Sequence, residues 1–280
     1  MSSHFEISNL QKINIGIIGL GLIGGSLGLK LSEHNLEIYG FEDSKTCSKE
    51  SLEIYKRAPF SISLDSYSNL INCDFVFLCV PLRSITNVLQ KIQPYLKPNS
   101  IVTDVGSVKK YVLKEASKTI RKDCFFIGGH PMAGTEKRGF ENAFPELFEN
   151  KSWVLLSDSS NNYEKPLFSQ RVNNLKKIIE LTGANIIEVS AEKHDQAVAF
   201  ISHLPLLISI GLLKTIEDTK DKELKQLALK LASSGYESMV RLAKGNETLN
   251  EDILRFNNNE LKSAFKLFTD KNQTLLENLD

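Results

Sequence analysis

The sequence predicts an α/β chain in two parts, a doubly wound parallel sheet over residues 1–189 and an all-helical domain over 190–280. Three observations carry that prediction. A β-branched run, Ile13-Asn-Ile-Gly-Ile-Ile18, breaks into glycines and resumes as an apolar helical pattern. Strand and helix patterns then alternate as far as Val189. Beyond residue 190 the strand pattern stops, and apolar residues recur at helical spacing, as in Leu224, Leu227, Ala228 and Leu231, or Leu261, Phe265 and Phe268.

The first turn, Gly19-Leu20-Gly21-Leu22-Ile23-Gly24, fits G-x-G-x-x-G at the end of a strand and the start of a helix, the arrangement of a Rossmann-type dinucleotide site. The first glycine permits the turn, the second lets backbone approach a pyrophosphate, and the third lets the helix pack on the strand. The unpaired N–H groups and positive dipole end of that helix make an anion site that needs no lysine. The next strand, 36–43, ends in Glu42 and Asp43, about 20 residues past the glycines. An acid there can bind both ribose hydroxyls and repels a 2′-phosphate, so charge alone favours NAD over NADP. An acid after a strand is also an ordinary turn residue.

The remaining elements follow in order. Residues 44–57 read as helix and 61–64 as a short strand. Asp74-Phe-Val-Phe-Leu-Cys-Val80-Pro81 is a nearly continuous apolar strand, as in a parallel sheet covered on both faces, and Pro81 ends it. A helix over 84–92 leads to the strand 100–104, after which Ser107 opens a helix. Phe125-Phe-Ile-Gly-Gly-His130 is a strand that breaks into glycines and places His130 just past its end. Trp153-Val-Leu-Leu is another strand, 157–162 a turn-rich connection, 164–182 a helix, and the strand 185–189 closes the sheet.

Composition narrows the function classes. Lys plus Arg and Asp plus Glu are both 34, so the net charge is zero and nothing favours a nucleic acid partner. Cys47, Cys73, Cys79 and Cys124 form no C-x-x-C, read as thiols of a reducing compartment, and offer no metal site. The first residues lack a basic region followed by an apolar stretch, so a cytoplasmic protein is expected. The uncharged stretch 196–213 reaches membrane-spanning length, yet it holds Gln196, Ser202, His203, Pro205 and Ser209. Those polar groups suit a helix buried in a bundle or dimer better than one in lipid.

In an open α/β sheet the ligand lies outside the carboxyl ends of the strands. Here the ends at Gly19–Gly21, Val80-Pro81, 104–107 and 128–135 should share one rim, which sets Ser107 and His130 beside the cofactor. Ser107 also suits a helix N-cap. In the helical part His203 stands in an apolar helix near Pro205, where a histidine is commonly a satisfied core residue, although proline bends such helices. Arg241 lies near the end of a helical run, where a solvated or dipole-pairing arginine is ordinary.

At these residues the chain resembles the prephenate/arogenate dehydrogenase family of tyrosine biosynthesis. The resemblance rests on Gly19-Leu-Gly-Leu-Ile-Gly-Gly-Ser26, Thr103-Asp-Val-Gly-Ser-Val-Lys109, Gly128-Gly-His-Pro-Met-Ala-Gly-Thr135, His194-Asp-Gln-Ala-Val-Ala, Ser202-His-Leu-Pro205 and Ala232-Ser-Ser-Gly-Tyr236. It runs from about residue 13 to the C-terminus, leaving no chain for the mutase or regulatory domains fused to some relatives. It implies that His130 is the catalytic histidine and Ser107 the serine beside it. By the same resemblance His203 is the active-site histidine of the helical domain, Arg241 binds a substrate carboxylate, Thr135 lies in the substrate site, and the helical domain forms a homodimer. The implied small-molecule substrate is arogenate or prephenate, decarboxylated as hydride passes to NAD or NADP. The wording of the motifs leans to the arogenate-using, NADP-linked branch, which would want a neutral or basic residue at Glu42-Asp43. Two rivals share the architecture: another hydride-transfer enzyme, such as a 3-hydroxyacid dehydrogenase or an imine reductase, lacking a histidine at the position of His130, and a non-catalytic dinucleotide-sensing dimer, with no need of Ser107, His130 and Arg241 together.

Overall fold

The computed structural model describes residues 13–34, 36–158 and 166–279. The chain start read for a leader and most of the expected 157–162 connection, with the first residues of the 164–182 helix, lie outside them. The chain divides into two compact units, Met1–Ala191 and Glu192–Asp280.

The first unit contains β1 (Asn14–Ile18), α1 (Leu22–Ser32), β2 (Glu37–Glu42), α2 (Lys49–Tyr55), β3 (Ser61–Leu64), β4 (Phe75–Leu78), α3 (Ile85–Ile92), β5 (Ile101–Asp104), α4 (Lys109–Thr119) and β6 (Phe125–Ile127). The six strands form one parallel sheet in the order β3-β2-β1-β4-β5-β6. β1 pairs Ile15 with Ile38 on one side and with Phe75 on the other, so the strand order reverses between β1 and β4. The glycine turn leaves β1 at that switch point, where open α/β sheets bind their ligands. β4 and β5 are buried along their whole length because helices cover both faces. At the opposite end of the strands, Asp74 ties α5 (Pro166–Glu180) and the loop before β5 to the sheet through Arg171 (3.0 Å) and Lys97 (2.8 Å). Burial pushes that carboxyl up, but bonds from Lys97, the Asn14 N–H and Arg171 together hold it below the usual range.

Four expectations are corrected. The strands after β6 do not extend the large sheet: β7 (Gly129–Pro131), β8 (Ser152–Leu156) and β9 (Asn185–Val189) form a second, three-stranded sheet, with β7 antiparallel to β8 and β8 parallel to β9. The β5–β6 ladder stops at Thr103 and Ile127 because the next N–H, that of Gly129, donates to the Asp104 carboxylate (3.2 Å), and the chain turns away. His130 therefore sits inside β7, opposite Val154, and not in a loop past a strand end. Ser107 is not the cap of α4; the cap position is Val108, with no side-chain cap bond. The expected 44–57 helix is split, with a 3₁₀ turn (Ser44–Thr46) capped by Asp43 and then α2 capped by Ser48. The small sheet shares the core of the large one through Trp153, which is fully buried and packs edge-on against Phe77.

The second unit is helical: α6 (Ala191–Val198), a π turn (Ala199–His203), α7 (Leu204–Glu217), α8 (Lys222–Leu231), α9 (Ser234–Val240), α10 (Glu247–Phe256) and α11 (Asn258–Glu277). Pro205 cannot donate to the carbonyl four residues back, and the chain meets that loss by widening into the π turn just before it. A small core forms from Ala199, Leu204, Leu261 and Ala264. Length and composition alone would let the helical run Ala191–Glu217 cross a membrane, and only 33% of its most apolar window is buried within the chain. Its polar groups are nonetheless held by protein: His194, Asp195, His203 and Ser209 are all buried. The periodic Leu224, Leu227 and Leu231 of α8 stand exposed.

Candidate active site

The candidate dinucleotide cradle begins where β1 ends. Gly19 adopts φ +89° and lies so close to β4 that a Cβ there would sit 2.6 Å from the Cys79 carbonyl oxygen. At Gly24 a Cβ would fall 2.0 Å from the Gly19 oxygen, so only glycine lets α1 close on the turn. Gly21 is different: the space beside it is open, it occupies the N-cap of α1, and no side chain caps that helix. An open flank beside a helix N-terminus is the shape a pyrophosphate requires. Leu20 and Leu22 are buried and Ile23 is half-buried, which fixes the turn from below. Val80, half-buried, and Pro81, exposed, follow β4 on the same side.

Glu42, the last residue of β2, reaches back to the turn, its Oε2 accepting from the Leu20 N–H (2.7 Å) and its Oε1 from the Asp43 N–H (3.0 Å). Asp43 caps the following 3₁₀ turn through Lys45 N–H (3.0 Å), and Asp65 accepts from Ser44 N–H (2.9 Å). Hydrogen bonds from Ser44 hold the Asp65 carboxyl below its ordinary range. Three carboxylates thus gather at the ends of β2 and β3. Their charge adds to burial in pushing up the Tyr67 hydroxyl.

The rim that carries Ser107 and His130 is organised by one carboxylate. Asp104, fully buried at the end of β5, accepts from Gly106 N–H at Oδ2 (2.8 Å) and from Gly129 N–H at Oδ1 (3.2 Å). Each of these glycines directly precedes a candidate residue: Ser107 follows Gly106, and His130 follows Gly129. Lys109, also fully buried, donates to Asp104 Oδ2 and to the Gly129 carbonyl. The ion pair therefore clamps both loops at one point. A Cβ on Gly129 would lie 2.7 Å from the Asp104 backbone oxygen, which explains why the approach needs glycine. His130 is buried and Ser107 half-buried. Thr135 lies farther along, exposed, its Oγ1 accepting from Lys137 N–H (3.1 Å). Neither Asp104 nor Lys109 was singled out from sequence, although both lie in the quoted 103–109 segment; a spacing of five across a strand-to-helix turn matches no helical or strand period.

In the helical unit, His203 closes the π turn and is 1% exposed. Its Nδ1 lies 2.9 Å from Asn257 Nδ2, and its Nε2 meets no partner among the described residues. Burial pulls its pKa down to about 4, with His194 adding to that and Asp195 opposing it. Arg241 follows the last residue of α9 and is exposed. Two residues on, the Ala243 N–H donates to the buried Ser209 Oγ of α7 (2.9 Å), which holds the Arg241 turn against the helix that begins beside His203.

A parallel sheet with an open glycine turn at its switch point, and a clamped Ser–His rim on the same unit, defines a nucleotide-binding oxidoreductase. The chain belongs to the prephenate dehydrogenase family. Residues 27–188 match the family model for the prephenate dehydrogenase nucleotide-binding domain, and residues 190–280 match that for the dimerization domain. The glycine turn itself precedes the first match. Among curated proteins the prephenate dehydrogenase of Bacillus subtilis is 28% identical over 279 residues, 97% of this chain and 72% of the relative. Among solved structures, Synechocystis arogenate dehydrogenase is 33% identical (TM-score 0.77), covering 95% of this chain and 93% of that one. Prephenate dehydrogenase from A. aeolicus, solved with hydroxyphenyl propionate and NAD+, is 27% identical (TM-score 0.82), covering 95% and 90%.

Proposed function

We propose that this protein is a homodimeric dehydrogenase that oxidatively decarboxylates a cyclohexadienyl acid, arogenate or prephenate, to tyrosine or 4-hydroxyphenylpyruvate, with NAD as the preferred cofactor. The observation that carries this is the Asp104–Lys109 clamp, which brings the Gly106-Ser107 and Gly129-His130 segments onto one carboxylate. The dinucleotide would lie on the open flank of Gly21, its pyrophosphate against the N-terminus of α1. Bound there, the nicotinamide supplies the hydride acceptor.

The protein's own residues do the rest. A neutral His130 imidazole takes the proton of the ring hydroxyl as hydride leaves the same carbon, a role suited to a side chain that titrates near working pH. Ser107 holds hydroxyl and imidazole in register. The Arg241 guanidinium is a planar fork that matches a substrate carboxylate, a geometry a lysine would not reproduce, and His203 and Thr135 complete the substrate contacts. Loss of carbon dioxide leaves its bonding electrons in the ring, which becomes aromatic, and the oxygen regains its proton. The carboxylates Glu42, Asp43 and Asp65 favour ribose hydroxyls over a 2′-phosphate, which supports NAD. The exposed Phe200 and Ile201 of the π turn and Leu224, Leu227 and Leu231 of α8, with Phe265 and Leu275 of α11, support a second copy as their cover, in keeping with the dimerization-domain match.

The test is an assay of purified protein with arogenate and prephenate, each with NAD and NADP. His130→Asn should lower kcat by roughly 10² to 10⁴, the usual reach of general-base catalysis. A kcat within a few-fold of wild type would remove His130 as the base. Turnover of neither substrate would overturn the reading as a whole.

A further inference from the structure

Asn257 lies between α10 and α11 and is 3% exposed. Its carboxamide nitrogen carries two hydrogens, and both are committed. One goes to the Asp195 carbonyl oxygen (2.9 Å) and the other reaches His203 Nδ1 (2.9 Å). The Asp195 carbonyl can only accept, so turning the amide over would set oxygen against oxygen; the carbonyl therefore fixes the amide, and the amide fixes the imidazole. His203 Nδ1 must accept and carries no proton. In a neutral ring the proton then resides on Nε2, and the ring is held neutral by burial. That Nε2–H is buried with no acceptor among the described residues. A buried donor left unmatched is costly, and a fold retains one where a ligand completes it. The π turn that carries His203 is a further sign, since such widenings recur at functional positions.

We propose that Asn257 is a positioning residue for substrate binding, holding His203 in the Nε2–H tautomer so that the ring donates a hydrogen bond to an acceptor oxygen of the substrate, a carboxylate, keto or hydroxyl oxygen. The inference rests on the reading of His203 as a substrate residue. It also gives His203 a defined chemistry. A nitrogen that already bears a proton cannot serve as a base, and it disfavours an ammonium group at that point.

The experiment combines spectroscopy and a double-mutant cycle on the full-length protein. With ¹⁵N-labelled histidine and no substrate at pH 7, the signal lost in His203→Ala should show Nε2 protonated and Nδ1 bare. A protonated Nδ1 overturns the proposal without any need of an Asn257 variant. Asn257→Ala should mix the tautomers and raise the KM for the better substrate about tenfold, with a smaller fall in kcat, the size expected for one misdirected hydrogen bond. In a His203→Ala background the same change should alter KM less than twofold. An equal effect in both backgrounds marks a merely structural role and overturns the proposal. If Asn257→Ala is silent while His203→Ala raises KM, the proposal alone falls; if His203→Ala is itself silent, the substrate reading of His203 falls and takes the proposal with it.

Discussion

The two units of this chain solve the burial problem in opposite ways. In the first, β1, β4, β5 and β6 bury their side chains between covering helices and a second small sheet, and the fully buried charges Asp104 and Lys109 neutralise each other. The helical unit closes only a small core around Leu204 and Leu261 and leaves large apolar side chains in the open, among them Ile201 (69% exposed) and Leu231 (71%). Its buried polar groups include His194 against Asp195 (2.8 Å), Ser209, Asp252, and the His203 imidazole in hydrogen-bond register with the Asn257 amide. A sheet covered on two faces is self-sufficient. The helical unit instead leaves several large apolar side chains uncovered by its own chain.

The sharpest way to break that comparison is to put a charge on the open face. Light scattering should give twice the chain mass at micromolar concentration, and Ile201→Glu should dissociate the protein, because a charge at a buried interface costs several kcal/mol. A monomeric wild type would show that the helical unit is complete by itself. Next in size is Lys109→Met in the closed unit. It strands the buried Asp104 carboxylate and should cost about 3–5 kcal/mol, read as a fall in the denaturation midpoint that does not depend on protein concentration. A midpoint unchanged from wild type would mean that the clamp contributes nothing.

Smaller effects sharpen the contrast further. Glu42→Ser removes an acceptor pair and a repelling charge at the cradle, so NAD use should weaken by about 1–3 kcal/mol while NADP use improves, and the Leu20 N–H left without its carboxylate should lower the melting temperature slightly. A wild type that prefers NADP would contradict the charge argument. The smallest effect is a pH dependence in the helical unit. The folded pKa of His203, about 4, lies below its ordinary 6.5, so the unfolded chain binds the proton more tightly. The stabilisation is complete above about pH 6.5 and is lost as pH falls toward 4. About 1 kcal/mol should disappear between pH 7 and pH 5.5, and His203→Gln should flatten that limb. A wild-type profile level across the window would mean that His203 is not buried as a neutral ring.

Much of the site was legible as residues and illegible as geometry. The glycine turn could be read because a tight turn, a backbone approach and a close helix each demand glycine at fixed spacing. Glu42 could be read because the second strand of such a sheet must end beside that turn. His130 stood out by its glycines and proline, yet its place inside an antiparallel strand could not be read, since it follows from the Asp104 carboxylate capturing the Gly129 N–H 25 residues away. Ser107 fitted a helix cap by its residue type, but α4 starts two residues later.

The sequence by itself determined what is periodic and local: the parallel strands, the helix starts, the change to an all-helical segment near residue 190, and the chemistry-bearing residues at the strand ends. Only the tertiary structure decided which of these meet. The second sheet, the Asp104–Lys109 clamp and the hold of Asn257 on His203 join residues 5 to 54 positions apart, outside any helical or strand period. The physical reason is that a buried carboxylate, ammonium or amide takes whichever partner the packed chain brings within about 3 Å, and that distance is a property of the fold.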